Sequence, residues 1–315
     1  MATQRAEGRA AVRIGTRGSK LALTQAEQVR AGLIAAHADL TADDVELVVI
    51  RTTGDRVTDR PLADIGGKGL FAKEVEEALL ASEIDIGVHS MKDLETVLPD
   101  GVVVPCVLPR EDPRDAFISA TVNNIAALPQ GAVVGTSSQR RRAQLVHSRP
   151  DLEIIMFRGN VDTRLAKIDR GEAVATLLAL AGLNRLGLAD RATAVLDPEF
   201  MLPAAGQGAV GIECRTGDEW AHALIAPLED PDTHTCIVCE RGVLAALDGS
   251  CHTPIAAYAR FLDGQLHLTA RVLRLDGSEM LETRRNGLAK DAESLGRDAG
   301  AELRSRASPD FFAES

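Results

Sequence analysis

In the first half of the chain the apolar positions switch between a two-residue period and a helical one. Val12 to Thr16, Val45 to Thr52 and Ile84 to His89 have the strand pattern, and Ser19 to His37 and Phe71 to Ser82 the helical pattern. That order predicts βαβ units on a mostly parallel sheet. After Pro105, Pro109 and Pro113 the pattern starts again. It gives strands at Ala132 to Gly135, Glu153 to Arg158 and Ala173 to Leu180, with helices at Ser138 to Ser148 and Val161 to Arg170. A strand at Gly208 to Arg215 follows. In the last third, Ile255 to Phe261, Gln265 to Leu275 and Ser278 to Arg285 are separated by Asp263-Gly264 and Asp276-Gly277, dipeptides that favour hairpin turns. Helices at Thr233 to Leu247 and Ala289 to Arg306 would cover that sheet. The expected fold is two similar α/β units and a C-terminal α+β domain with a small antiparallel sheet, with boundaries near residues 108 and 227.

At 315 residues the chain exceeds the ~250–300 at which a single core stops growing. Aromatic residues are only 3% and the net charge is −11, which removes stacking platforms and opposes a phosphate backbone, so nucleic acid is not expected as a partner. The longest apolar stretch, Ala175 to Leu183, is too short to span a bilayer and no apolar leader follows Met1, so neither a membrane nor export is expected. Five dispersed cysteines, Cys106, Cys214, Cys236, Cys239 and Cys251, fit reduced thiols in a cytoplasm better than a disulfide framework.

Three apparent motifs fail their context tests. Gly206-Gln-Gly208-Ala-Val-Gly211 matches a dinucleotide fingerprint, but here the strand follows the glycines instead of preceding them. A tight turn between domains is the better reading. Cys236-x-x-Cys239 with Cys251-His252 imitates a zinc set, yet the first pair lies in a helical pattern and adjacent Cys and His rarely share one ion, so no metal is expected. Gly15 to Lys20 and Ile65 to Gly69 lack phosphate-loop spacing.

Charge is more informative. Residues 131–170 hold eight basic side chains, Arg140, Arg141, Arg142, Arg149, Arg158, Arg164, Lys167 and Arg170, against four acidic ones, inside an acidic chain. A solvated helix face is the ordinary explanation. However, Arg158 and the Thr136-Ser137-Ser138 run fall at strand ends, the edge where open α/β sheets bind ligands and where helix N-termini favour anions. Arg17 and His89-Ser90-Met91-Lys92-Asp93 occupy the same kind of edge in the first unit, so the two units are expected to face one another across a cleft that takes a small polyanion. Asp93 is a helix cap or, beside Lys92, an ionised carboxylate able to balance a transient cation. Cys251, in Gly249-Ser250-Cys251-His252, is an inert small side chain or a reactive loop thiol.

The order of these motifs resembles the porphobilinogen deaminase (hydroxymethylbilane synthase) family. The resemblance runs from about Arg13 to the C-terminal helix. It is carried by Thr16-Arg17-Gly18-Ser19-Lys20, Thr53-Gly54-Asp55, Lys68-Gly69-Leu70-Phe71, Val88-His89-Ser90-Met91-Lys92-Asp93, Gly135-Thr136-Ser137-Ser138, Arg158-Gly159-Asn160, Ala181-Gly182-Leu183-Asn184-Arg185, Leu202-Pro203-Ala204-Ala205-Gly206 and Gly249-Ser250-Cys251. Leu94-Glu95-Thr96 departs from the usual Val-Pro or Leu-Pro continuation, and Gln139 from a usual leucine.

The resemblance implies two α/β domains like those of periplasmic binding proteins, residues 1–108 with 207–226 and residues 109–206, forming the cleft, and a third domain at 227–315. It implies a dipyrromethane cofactor, one per chain, joined to Cys251 by a thioether, and no metal. It further implies head-to-tail condensation of four porphobilinogen molecules with loss of ammonia, then hydrolytic release of hydroxymethylbilane for tetrapyrrole biosynthesis. Each pyrrole carries an acetate and a propionate, which suits a cationic cleft in an acidic protein. By matched position Asp93 is catalytic; Cys251, Lys92, Arg140, Arg141, Ser138 and Thr136 hold the cofactor; and Arg17, Ser19, Arg158, Arg164, Arg185 and Phe71 meet the substrate. Thr53 to Gly69 matches the family's segment over the cleft. A cytoplasmic monomer that hands its product to a uroporphyrinogen-III synthase is expected. The competing reading is a non-enzymatic two-domain binding protein for a polycarboxylate, which needs no Gly249-Ser250-Cys251 loop. A DNA-binding regulator is disfavoured by the lack of a basic helix-turn-helix segment.

Overall fold

The computed structural model describes residues 12–56, 71–247, 254–308 and 310–311, and the chain divides into two compact units, Met1–Arg110 with Ala209–His234 and Glu111–Gly208 with Thr235–Ser315. The first unit opens with β1 (Val12–Arg17), α1 (Lys20–Ala36), β2 (Val45–Ile50), the short α2 (Thr53–Arg56), α3 (Lys73–Leu80), β3 (Ile86–Ser90) and β4 (Val102–Val107). The second contains β5 (Asp115–Ser119), β6 (Val133–Gly135), α4 (Gln139–Ser148), β7 (Glu153–Ile155), α5 (Val161–Asp169), β8 (Ala175–Ala179), α6 (Leu180–Arg185) and β9 (Ala194–Val195). The chain then returns to the first unit as β10 (Val210–Arg215) and α7 (Glu219–Ile225). It leaves again along α8 (Pro231–Ala246) to β11 (Ile255–Leu262), β12 (Gln265–Leu273), β13 (Met280–Gly287) and α9 (Ala292–Arg306).

The two α/β sheets share one plan. Their strand orders are β2-β1-β3-β10-β4 and β7-β6-β8-β5-β9. In each, three parallel strands adjoin one antiparallel strand, β10 or β5, which in turn carries an outer antiparallel neighbour. The inner parallel strands are covered on both faces, which is why β3 is buried without alternation from Ile86 to His89. In the first unit Ala26, Val29 and Leu33 of α1 pack on Val12, Ile14 and Ile86, while Val75, Ala78 and Leu79 of α3 pack the opposite face with Ile84. In the second, Phe117, Val134, Leu145 and Leu177 fill one side and Ile118, Leu165, Leu178 and Leu183 the other.

The C-terminal sheet is antiparallel, β11-β12-β13, with its own core in which Val243, Leu268, Ala270, Ala299 and Leu303 meet. It belongs to the same compact unit as 111–208: Arg271 on β12 donates to Gln144 Oε1 on α4 at 2.7 Å. Two glycines are required by close approach. A Cβ on Gly135, at the end of β6, would collide with the Phe157 ring. One on Gly208 (φ +91°) would collide with the Glu111 carbonyl. The Gly206 motif forms a turn with β10 after it, as its strand context requires and a dinucleotide site would not.

Candidate functional site

Three segments of the first unit converge at the carboxyl ends of β1 and β3. β1 ends on Arg17, and Ser19 caps α1 by accepting from the Ala22 amide at 3.2 Å. β3 ends on Ser90 and runs into a 3-10 turn, Met91–Asp93, whose last residue is exposed. Phe71 lies just before α3, with the Arg17 guanidinium 4.1 Å above its ring centroid, a cation–π contact that fixes a cation at the rim. Arg17, Ser19, Leu21, Ala22, Gln25, Phe71, Val88, His89, Ser90 and Asp93 enclose a small cavity of about 40 Å³.

So Asp93 is gathered with Arg17, Ser19 and Phe71, as their matched positions suggest, and Lys92 is exposed next to it. The structure adds Gln25 and Ser90, which the sequence reading did not single out as site residues. Buried Gln25 donates through Nε2 to Ser90 Oγ at 2.8 Å, tying α1 to the end of β3. A polar residue on the buried face of α1, four residues after apolar Leu21, is the signal that would have found it.

The second unit presents the corresponding edge of β6 and β7. The Thr136 amide donates to the Ile155 carbonyl at 3.0 Å, and Ser137 Oγ accepts from the Phe157 amide at 3.1 Å, so the two strand ends are stitched together. Ser138 caps α4, accepting from the Arg141 amide at 3.4 Å. Asn160 caps α5, accepting from the Thr163 amide at 2.9 Å. Arg158 lies half-buried three residues beyond β7, and Arg164 Nε donates to the Gly159 carbonyl at 2.9 Å. Thr136, Ser138, Arg140 and Arg141 are thus collected at the start of α4, and Arg158 and Arg164 around the start of α5.

Arg140 and Arg141 point inward. Both are buried, and they flank Asp115 at 2.8 and 2.7 Å. Burial alone would raise the Asp115 carboxyl; the two guanidiniums override it and hold the carboxyl far below the usual carboxylate range. Arg140 also donates to the Leu202 carbonyl at 2.7 Å and Arg141 to the Leu177 carbonyl at 3.0 Å. Arg140 Nε, in contrast, is a buried donor with no partner. Arg185, at the end of α6, donates to the Gly208 carbonyl at 2.9 Å, and its guanidinium pKa is lowered by burial, with nearby Glu111 opposing.

Cys251 lies outside the described residues, between α8 and β11, as do Lys68, Gly69 and Leu70 of the glycine-rich segment. That segment's described start is α2, where the Thr53 amide and Oγ1 donate to Glu74 Oε1 at 2.7 and 2.6 Å. The other cysteines are buried free thiols. Burial pushes Cys239 up to about 12 and Cys214 up to about 11, which leaves them poor nucleophiles. Cys236 and Cys239 sit in the core between α8 and the C-terminal sheet.

The family profile described as porphobilinogen deaminase, dipyromethane cofactor binding domain, matches residues 12–223, and the porphobilinogen deaminase C-terminal domain matches 234–305. Porphobilinogen deaminase of Paracoccus denitrificans (strain Pd 1222) is 54% identical over 310 residues, covering 98% of this chain and 99% of that one. The chloroplastic porphobilinogen deaminase of Oryza sativa subsp. japonica is 52% identical over 306 residues, covering 96% of this chain and 85% of that one. Among solved structures, the methionine binding protein MetQ aligns with 71% of this chain and 91% of its own at a TM-score of 0.44 and 14% identity, a likeness too low to carry anything about ligand or activity. With both domain profiles matched in order and relatives above half identity along nearly its whole length, the chain belongs to the porphobilinogen deaminase family.

Proposed function

We propose that this chain is a hydroxymethylbilane synthase: it condenses four porphobilinogen molecules head to tail, releasing ammonia at each addition, and frees hydroxymethylbilane by adding water. The observation that carries the reading is the gathering of Asp93, Arg17, Ser19 and Phe71, from three chain segments, around one cavity.

The residues present fit a dipyrromethane. Its carboxylates need buried or strand-edge donors, and Arg140 Nε is such a donor without a partner, beside the Ser138 cap of the ten-residue helix α4. Thr136, Ser138, Lys92, Arg140 and Arg141 would hold those carboxylates, with Cys251 as the thioether anchor. When bound, the group supplies the nucleophilic pyrrole carbon on which the substrate units are joined, and it stays with the protein when the product leaves.

The remaining work falls to this chain's own side chains. Arg17, Ser19, Arg158, Arg164 and Arg185 bind the substrate's acetate and propionate, each charge-assisted contact contributing roughly 1.5–3 kcal/mol. As the C–N bond of the substrate breaks, its electron pair leaves with ammonia and the methylene carbon becomes cationic. The Asp93 carboxylate lies at the cavity rim to stabilise that charge. A new C–C bond forms, and Asp93 accepts the ring proton whose C–H pair restores aromaticity. Phe71, held by Arg17, packs on a pyrrole face.

The free thiols fit a reducing compartment, and no described helix is long and apolar enough to cross a membrane. A monomer, and a uroporphyrinogen-III synthase as recipient of the product, complete the reading on the family resemblance alone. The test is to incubate the purified holoprotein with porphobilinogen and follow substrate loss, ammonia and product. Four ammonia per hydroxymethylbilane supports the reading; tight binding of porphobilinogen with no ammonia released supports the binding-protein alternative instead.

A further inference from the structure

On the face of the first sheet that α3 covers, His89 and Glu213 meet in the core behind the Asp93 cavity, and buried Glu76 of α3 lies within the field of both. His89 on β3 and Glu213 on β10 lie diagonally across an antiparallel pair whose register sets Gly211 opposite His89 and Gly87 opposite Glu213. Gly87 leaves the room that His89 and Glu213 occupy, and Gly211 the room of Met91. A Cβ on Gly87 would press on Val75 at 3.0 Å and His89 Nε2 at 3.1 Å, and one on Gly211 would collide with Met91. On the other side of β10 the β4 strand bulges: Val104 and Pro105 both fall between the Cys106–Ile212 and Val103–Cys214 pairs, opposite Glu213. Bulges of this kind re-aim side chains next to functional sites.

His89 Nε2 comes within 2.9 Å of Glu213 Oε2, with the two side chains 5% and 0% exposed. The approach is not aligned as a hydrogen bond, so both Glu213 oxygens are buried acceptors without a donor, as is Oε1 of Glu76 from α3. The surrounding charges do not relieve them. Arg13 on β1 is committed to Asp85. Arg215, farther along β10, is committed to the Leu79 and Ile84 carbonyls and to Asp218. Of the neighbours that act on Glu76, Glu213, Glu95 and Glu77 repel its charge and His89 alone favours it. Two buried carboxylates against one imidazole are short of protons, and the cheapest remedy is to keep one on a carboxyl. Burial first, then Glu213, pushes Glu76 up to about 7.

His89 also lines the cavity that holds Asp93 and Arg17. Resting on the deaminase reading, we propose that Glu76, Glu213 and His89 form a proton-sharing cluster behind the cavity, and that His89 is a positioning residue that passes the cluster's charge to the place where the substrate carbon becomes cationic. Loss of the proton on Glu76 adds one negative charge beneath the cavity, whichever of Glu213 and His89 holds the remaining proton. That charge favours the cationic carbon, so the chemical step quickens as the cluster deprotonates. No proton leaves for the substrate through this cluster; it acts by its field.

The experiment is the single-turnover rate of cofactor-loaded protein from about pH 6 to 8.5, wild type beside Glu76→Gln, with steady-state kcat and KM measured over the same range. The wild type should accelerate through neutrality by about ten-fold, the effect of a unit charge at roughly 10 Å and an effective dielectric of about 20. Glu76→Gln keeps the shape of the protonated carboxyl and should lose that rise, in kcat and not in KM. A wild-type pH step retained in Glu76→Gln overturns the proposal. A second measurement needs neither turnover nor an active variant: the His89 ring nitrogen signals of the holoprotein, assigned by their loss in His89→Gln, should show an inflection near pH 7 that Glu76→Gln abolishes. No inflection near 7 in the wild type also overturns it. If the wild type produces no hydroxymethylbilane, the deaminase reading fails, while the inflection in the ring signals, and its loss in Glu76→Gln, still decides the cluster.

Discussion

Replacing Asp115 by Asn removes the one carboxylate that two buried guanidiniums share. Asp115 is fully buried and contacts Arg140 and Arg141 at 2.8 and 2.7 Å, and Gln207 Nε2 donates to its Oδ1 at 3.0 Å. Asn keeps the shape and an acceptor oxygen for Gln207, so the change isolates the charge. Leaving a buried charge uncompensated typically costs about 3–5 kcal/mol, or roughly 10²–10⁴-fold in a local opening constant. Hydrogen exchange of the backbone amides is the assay, because it reads the affected elements one at a time. Amides of β5, β8 and the first turns of α4 should exchange faster by that factor, while those of β1 and β3 in the first unit keep their protection. The sign with pH is fixed as well. The native Asp115 carboxyl lies below its unfolded value, so its contribution is fully present above about pH 4 and is lost only as pH falls toward the native value. The deficit of the variant should therefore be constant between about pH 5 and 8. Protection in β5, β8 and α4 within about three-fold of wild type would refute the view that Asp115 is what allows Arg140 and Arg141 to be buried at the start of α4.

Asp93→Asn should leave binding of porphobilinogen within a few-fold of wild type and remove nearly all chemistry, of which acid–base action alone supplies about 10²–10⁴-fold; single-turnover kinetics on cofactor-loaded protein measure it, and near-normal chemistry removes Asp93 from the mechanism. Arg158→Leu and Arg164→Leu should stall elongation, with protein-bound partial chains accumulating in the mass spectrum; normal turnover with none would mean these cations only decorate the surface. Gly208→Ala places a Cβ against the Glu111 carbonyl at φ +91° and should cost about 1–3 kcal/mol, read as a lowered urea midpoint; an unshifted midpoint contradicts the close packing of that turn.

Elements with a clean period were legible in the sequence: α1, α4, α9 and the three C-terminal strands all lie where apolar spacing and Asp-Gly turns put them. The strand β4 was hidden by Pro105, since a proline argues against a central strand; the structure resolves this by making β4 an edge strand and placing Pro105 at a bulge. The apolar run from Ala173 to Leu183 contains a strand and then a helix, β8 and α6, and a continuous apolar run carries no period to divide it. The rim of the site was visible because Arg17, Ser19 and Asp93 sit at strand ends. Its interior was not. Asp115 meets Arg141 across 26 positions and His89 meets Glu213 across β3 and β10, pairings set by strand order and register, which no local pattern encodes.

Covalent priming of pyrrole polymerisation at Cys251 is open to one decisive measurement, the intact mass of the purified active protein followed by peptide mapping. One addition of two linked pyrroles per chain is expected, confined to the peptide containing Cys251 and absent from Cys251→Ser. An oxygen nucleophile there is far less reactive near neutral pH, and the four buried thiols cannot replace it. An active protein of unmodified mass, or the pyrroles mapped to Cys106, Cys214, Cys236 or Cys239, would contradict it.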